Sequence, residues 1–147
     1  HFHIIGFVNE PQYFAQCKDF VEQHGLNNVT LMPDLPIEKR SRVLAESEFF
    51  LHSLRNEPFG ITTVQAIAAG CIPVVHDSGG QKEVVPNDRL RYADEASAAD
   101  VFGYLAELHA KQRQEIQQEL MLHIGQYDAA VFKNKMKPLI LEKLNRL

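Results

Sequence analysis

Several bulk signals of function are absent from this sequence of 147 residues. Cysteine is scarce: Cys17 and Cys71 are the two present. They are too few and too far apart for a disulfide framework or a zinc knuckle, which suits a reducing compartment. Basic charge is not in excess, since the formal net charge is −4, so bulk charge argues against nucleic acid or an anionic surface as partner. No apolar run approaches the ~20 residues that a membrane-spanning helix needs. The seven histidines show neither HExxH nor any other ligand spacing. No Asp-x-Asp occurs to hold a metal-bridged diphosphate, and no metal or other cofactor is expected. The first strand carries Gly6 alone rather than GxGxxG, which argues against a dinucleotide-dependent oxidoreductase. Internal repeats and low-complexity segments are missing as well.

What is present is an ordinary globular balance, 45% hydrophobic and 23% charged, in a chain long enough for one core. Strand-like and helix-like segments alternate. FHIIGFV opens as a strand, and Pro11 then starts a helix with Phe14, Cys17, Phe20 and Val21 at helical spacing, stopped by Gly25. Val29–Met32 is a strand ending in the PDLP turn, and residues 37–45 read as a helix. Phe49–Ser53 is a strand, 62–69 a helix, Ile72–His76 a strand, Gln81 the start of a short helix, and Leu90–Tyr92 an edge strand. From Ser97 the pattern is helical to the end, with breaks near Gly125 and before Pro138. Alternation of this kind predicts βαβ units and a parallel sheet flanked by helices. The last helix is expected to pack back on a single domain spanning 1–147, mainly helical over 97–147. His1 in place of Met, with FHIIGFV following at once, reads as a piece of a longer protein.

In such sheets ligands bind beyond the carboxyl ends of the strands. The stretch RNEPFGITTVQAIAAGCIPVVHDSGG supplies two of those loops. LRNEPFG leads into a helix start at which the amides near Gly60 and Ile61 suit a phosphate, and Gly60 permits close approach. DSGG does the same after the next strand. Against this stands plain turn chemistry: Thr62-x-x-Gln65 and Ser78-x-x-Gln81 both fit a capping box, which needs no ligand. His52 and His76 sit at strand ends, where surface or capping roles are the commoner use. Glu83 either faces the loops or favours its helix's first turn. The run KQRQEIQQEL and Lys133, Lys135 and Lys137 read as solvated faces, with a membrane-surface role for the lysines as the alternative.

EPFGITTVQ, followed by AIAAGCIPVV and SGGQKEVV, resembles the signature of the retaining glycosyltransferases of family GT4. FHIIGFV, NVTLMPDLPIEKRSRVLAESEFFLHSL and QYDAAVFKNKM extend the resemblance over most of the chain. LHSLRNEPFGI with HDSGG looks closest to the mannosyltransferases that extend a lipid-linked oligosaccharide from GDP-mannose. The resemblance implies the C-terminal, nucleotide-sugar-binding half of a two-domain GT-B fold, Rossmann-like and without its first βα unit. It implies a nucleoside-diphosphate sugar as substrate, GDP-mannose favoured, and an N-terminal acceptor domain elsewhere in the parent chain. A lipid-linked glycan acceptor and a cytoplasmic location, peripheral to a membrane through the rest of the chain, follow from the same likeness.

By resemblance, Glu57 is the catalytic carboxylate beside the donor hexose. Phe59, Gly60, Ile61, Thr62, Gly79 and Gly80 hold the diphosphate and sugar, and Pro33, Asp34 and Leu35 form the base-binding loop. The family's second glutamate, which binds the ribose, corresponds to Gln65, a neutral acceptor whose hydrogen bond is roughly half as strong. The family's arginine and lysine, which neutralise the leaving diphosphate, lie in the βα unit that precedes FHIIGFV there. They are not in this sequence, so the 147 residues alone are expected to be inactive. The alternative is a non-catalytic nucleotide-binding or interaction module derived from such an enzyme.

Overall fold

The computed structural model describes residues 1–144. Its contacts gather into two compact units, residues 1–43 and the chain from Leu44 onward. In the first unit β1 (Phe2–Gly6), α1 (Pro11–Gln23) and β2 (Val29–Pro33) form one βαβ crossover, followed by α2 (Ile37–Ala45). The two strands are parallel, with Phe2 opposite Val29 and Gly6 opposite Pro33. Pro11 stands in the first turn of α1, where its fixed φ fits and its missing N–H goes unneeded. Phe14, Cys17 and Val21 form the half-buried stripe of α1 that their spacing predicts, whereas Phe20 is exposed and stacks on His24 at a centroid distance of 4.1 Å.

The second unit holds β3 (Phe49–His52), α3 (Ile61–Ala68), β4 (Ile72–His76), α4 (Gln81–Val84), a 3₁₀ turn at Asp88–Leu90 and β5 (Arg91–Tyr92). Then come α5 (Glu95–Glu107), α6 (Ala110–Ile124), a second 3₁₀ turn at Gly125–Tyr127 and α7 (Ala129–Leu144). β4 lies in the middle of this sheet, parallel to β3 on one side and to β5 on the other. A strand covered on both faces needs a continuous apolar run instead of alternation, and Ile72, Val74 and Val75 are all fully buried. Ile67, Val84, Leu90, Leu105, Leu120 and Ile124 close over them from the flanking elements. Ala66 is buried without a bulky side chain, so α3 can sit close to the sheet. Cys71 is a free, buried thiol whose Sγ–H reaches the carbonyls of Leu44 at 3.1 Å and Ser47 at 3.3 Å. Burial pushes its pKa up, so it behaves as a small core residue and not a nucleophile.

The result is the α/β architecture of parallel strands flanked by helices that the alternation predicts. Three details differ. The strands form two sheets, β1-β2 and β3-β4-β5, where one was expected; alternation dictates parallel pairing but not which strand borders which. Pro138 lies inside α7 instead of ending a helix before it. It sits on an exposed stretch, where water can take the carbonyl that proline leaves without a partner. The last helix also packs back only lightly: no described residue of α7 is buried, and Val131 and Met136 are half-buried.

Two stability predictions follow from this packing. Leu105 is 0% exposed and Leu122 is 82% exposed. Leu105→Ala is therefore expected to cost about 2–5 kcal/mol in urea denaturation, and Leu122→Ala about 0.5 kcal/mol or less. His52 ends β3 with a buried, unpaired Nδ1, and desolvation lowers its pKa from the ordinary 6.5 against the opposing pull of Glu57. The folded pKa is the lower one, so the neutral ring favours the native state above about pH 6.5, and that contribution fades as pH falls through the folded value. Denaturation curves at pH 7.5 and about pH 5.5 are expected to differ less in His52→Gln than in the wild type.

Candidate functional site

β3 and β4 are neighbours, so the loops leaving their carboxyl ends lie side by side. The first, residues 53–60, turns at Asn56, which has φ +56°, and enters α3 through Gly60 at φ +97°. The second, residues 77–80, turns at Gly79, φ +61°, and enters α4 through Gly80. Positive φ is strained for most side chains and free for glycine.

The loops touch backbone to backbone. The Gly80 N–H donates to the Glu57 carbonyl at 2.8 Å, and the Asn56 N–H donates to Ser78 Oγ at 2.8 Å. A Cβ on Gly79 would stand 2.9 Å from the Asn56 carbonyl carbon and 3.0 Å from the Glu57 nitrogen. A Cβ on Gly80 would collide with the Pro58 carbonyl. The glycine pair is thus required by the neighbouring loop, whatever else it does.

The start of α3 is capped by an unexpected residue. Neither proposed capping box forms. The N-cap of α3 is Gly60, with Thr62 already inside the helix and exposed. The N-cap of α4 is Gly80, and Ser78 has turned to Asn56 instead. In their place Glu57 Oε1 accepts from the Gly60 N–H at 3.1 Å and from the Phe59 N–H at 3.4 Å. A carboxylate at a helix N-terminus is stabilised both by these amides and by the helix dipole. Glu57 is half-buried, Gly60 is buried, and Phe59, Ile61 and Gln65 are exposed. The second unit therefore brings Glu57, Phe59, Gly60, Ile61, Gly79 and Gly80 together at the carboxyl end of its sheet. Thr62 and Gln65 follow outward along α3.

Side chains that sequence reasoning missed support this end. Gln81 is 0% exposed, and its Oε1 lies 2.7 Å from where a Cβ on Gly60 would stand. Residue 60 is therefore glycine on the inner side as well. Tyr127 meets Phe59 edge to face at 5.0 Å and donates its hydroxyl to the Glu83 carbonyl at 3.0 Å. His123 Nε2 reaches that same carbonyl at 2.7 Å. Glu83 thus contributes its backbone to the support of the loop, and its side chain is exposed. The signal for Tyr127 is its place in QYDAAVFKNKM, one of the stretches that carry the family resemblance.

The loop Pro33-Asp34-Leu35 lies in the first unit. Asp34 adopts φ +51°, donates its N–H to the Gly6 carbonyl at 2.9 Å, and accepts the Val8 N–H on Oδ1 at 3.2 Å. It ties the ends of β1 and β2 together beside a cavity of about 540 Å³ lined by Gly6, Phe7, Val8, Tyr13, Phe14 and Pro33. Among the described residues no group of three or more His, Cys, Asp or Glu could hold a metal ion, and no helix is long and apolar enough to cross a membrane.

Comparison with known proteins fits this geometry. A GDP-Man:Man(3)GlcNAc(2)-PP-Dol alpha-1,2-mannosyltransferase of Xenopus laevis is 32% identical over 106 residues, covering 68% of this chain and 22% of the relative. The corresponding protein of Mus musculus is 27% identical over 139 residues, 88% of this chain and 28% of its own. A phosphatidylinositol N-acetylglucosaminyltransferase GPI3 subunit of Saccharomyces cerevisiae is 33% identical over 89 residues, 60% of this chain and 20% of its own. The chain thus spans about a fifth to under a third of the length of these curated relatives. Among solved structures, a GtfA/B complex superposes with a TM-score of 0.75 over 95% of this chain and 29% of its own, at 20% identity, so this chain has the fold of part of a GT-B glycosyltransferase. Glycosyl transferases group 1 is the family that matches residues 1–129, and with that span and that fold the chain belongs to it.

Proposed function

We propose that the second unit binds the diphosphate-sugar end of a nucleoside-diphosphate sugar, and that the parent enzyme transfers the hexose with retention to a glycan or lipid-linked acceptor. One observation carries the reading: Glu57 is held at the joint of two glycine loops at the carboxyl ends of adjacent parallel strands. That is where an open α/β sheet takes a ligand. The exposed start of α3 offers the N–H of Ile61 and the partial positive charge of the helix to a phosphate.

Glu57 spends Oε1 on the amides of Phe59 and Gly60. Oε2 is then the atom that can orient a hexose hydroxyl. As the diphosphate departs, the anomeric carbon gains positive charge, and a carboxylate held rigidly nearby stabilises that charge more in the transition state than in the ground state. Because the bonds to Phe59 and Gly60 fix its direction, little reorganisation is needed during reaction. The relatives named for GDP-Man favour GDP-mannose as the donor. On the family resemblance, Pro33, Asp34 and Leu35 read the base, and Gln65 accepts from the ribose without charge assistance.

Calorimetric titration of the intact enzyme with GDP and with UDP tests the donor class. Tighter binding of GDP is expected; tighter binding of UDP overturns the preference, and binding of neither overturns the site. In the same enzyme Glu57→Gln is expected to lower kcat by about 10²–10³-fold with little change in KM, the scale of losing one preorganised electrostatic partner. Gln65→Glu is expected to lower KM by up to about tenfold, equivalent to ~1.4 kcal/mol, because it strengthens ground state and transition state alike. An unaltered kcat in Glu57→Gln removes the catalytic assignment.

A further inference from the structure

His76, at the end of β4, is bonded through both ring nitrogens. Nε2 lies 3.1 Å from the Ala93 carbonyl, and Nδ1 lies 2.8 Å from Ser78 Oγ. A carbonyl can only accept, so Nε2 carries the hydrogen, and in the neutral ring Nδ1 is then an acceptor. Ser78 must direct its hydroxyl hydrogen at Nδ1. That leaves the Ser78 lone pairs to receive the Asn56 N–H, which approaches Oγ at 2.8 Å. The hydrogen bonds therefore run in one direction, from Asn56 N–H through the Ser78 hydroxyl to His76, and from His76 to Ala93.

The ring itself is held in place. It meets Tyr92 edge to face at 5.4 Å, and the Tyr92 hydroxyl donates to the His52 carbonyl at 3.0 Å, at the end of the neighbouring strand. At the far end of the relay Asn56 is a non-glycine residue at φ +56°, in the left-handed region that asparagine enters more readily than other side chains and that a bond to its N–H helps to select. Glu57 is the next residue along the chain. Its carbonyl is fixed by the Gly80 N–H at 2.8 Å. The peptide on its amino side connects to Asn56, whose N–H is held by Ser78.

We infer that His76 and Ser78 are positioning residues for Glu57: they hold Asn56 in its left-handed conformation and so set the direction from which the Glu57 carboxylate meets the sugar. The inference rests on the reading of Glu57 as the group that faces the hexose. A displaced Glu57 weakens recognition of the sugar and leaves recognition of the nucleotide alone.

The test compares the affinity of the intact enzyme for a sugar nucleotide with that for its bare nucleotide, using GDP-mannose with GDP and UDP-N-acetylglucosamine with UDP. Ser78→Ala and His76→Phe are expected to reduce the sugar-nucleotide to nucleotide affinity ratio about five- to tenfold, the effect of one hydrogen bond. His76→Asn places an amide oxygen close to where Nδ1 stood, and is expected to recover most of the ratio. Thermal midpoints measured alongside show whether each variant is folded. Variants that melt lower but keep the wild-type ratio overturn the positioning role and leave the donor site standing. A His76→Asn variant no better than His76→Phe, both being folded, overturns the relay's direction. Wild-type enzyme that binds neither pair overturns the donor-site reading and the positioning role with it.

Discussion

Two loops at the carboxyl ends of β3 and β4 approach closely enough for the Gly80 amide to bond the Glu57 carbonyl, and the local architecture of the second unit depends on that approach. Side chains at 79 or 80 would strike the backbone of residues 56–58. Gly60 is closed in from the inside by Gln81 and adopts a φ that few other residues tolerate. Once the loops are in register, Glu57 can turn back on the amides of Phe59 and Gly60, just ahead of α3. An internal carboxylate thereby stands at the N-terminus of α3, where the helix dipole favours it.

The core explains why this end of the sheet can be rigid. β4 is the central strand, buried on both faces, with α3, α5 and α6 packed around it. Its last residue, His76, emerges from that core and receives the relay that runs from Asn56 through Ser78. From the other direction the last turn of α6 contributes His123 and the 3₁₀ turn after it Tyr127, which share the Glu83 carbonyl, while Tyr127 supports the exposed ring of Phe59. The loop that carries Glu57 is therefore buttressed by a strand end, a second loop and a C-terminal turn. Precision at a site comes from such support more than from the reacting group itself.

Much was legible in the sequence because the physics is local. The apolar run IPVV, bounded by Gly70 and the DSGG turn, reads as a strand, and the structure covers it on both faces. Pro11 and Gly25 punctuate α1 where their dihedral preferences place them. The motif EPFGITTVQ with SGG identified the family and the loops. The sequence misled where a local pattern competed with a tertiary one. Thr62 and Ser78 have the spacing of capping residues, yet the helices start elsewhere, because Glu57 and Asn56 offer and demand partners that only the folded loops bring near. Pro138 looked like a helix stop, and an exposed helix accommodates it.

The sequence by itself determined the alternation of strand and helix, the parallel sense of the pairing, the glycine turns and the family, since each is read from local periodicity, from the order of the elements or from a motif written along the chain. Only the tertiary structure decided that the strands divide into two sheets and that the glycines at 79 and 80 serve the neighbouring loop. It alone showed Gln81, Tyr127 and the His76–Ser78–Asn56 relay behind Glu57. Apart from the bond between His76 and Ser78, those contacts join positions about 20 to 70 residues apart. Periodicity and propensity carry no information at such separations, because the energy that selects them comes from burial and from the satisfaction of backbone amides when the sheet is assembled.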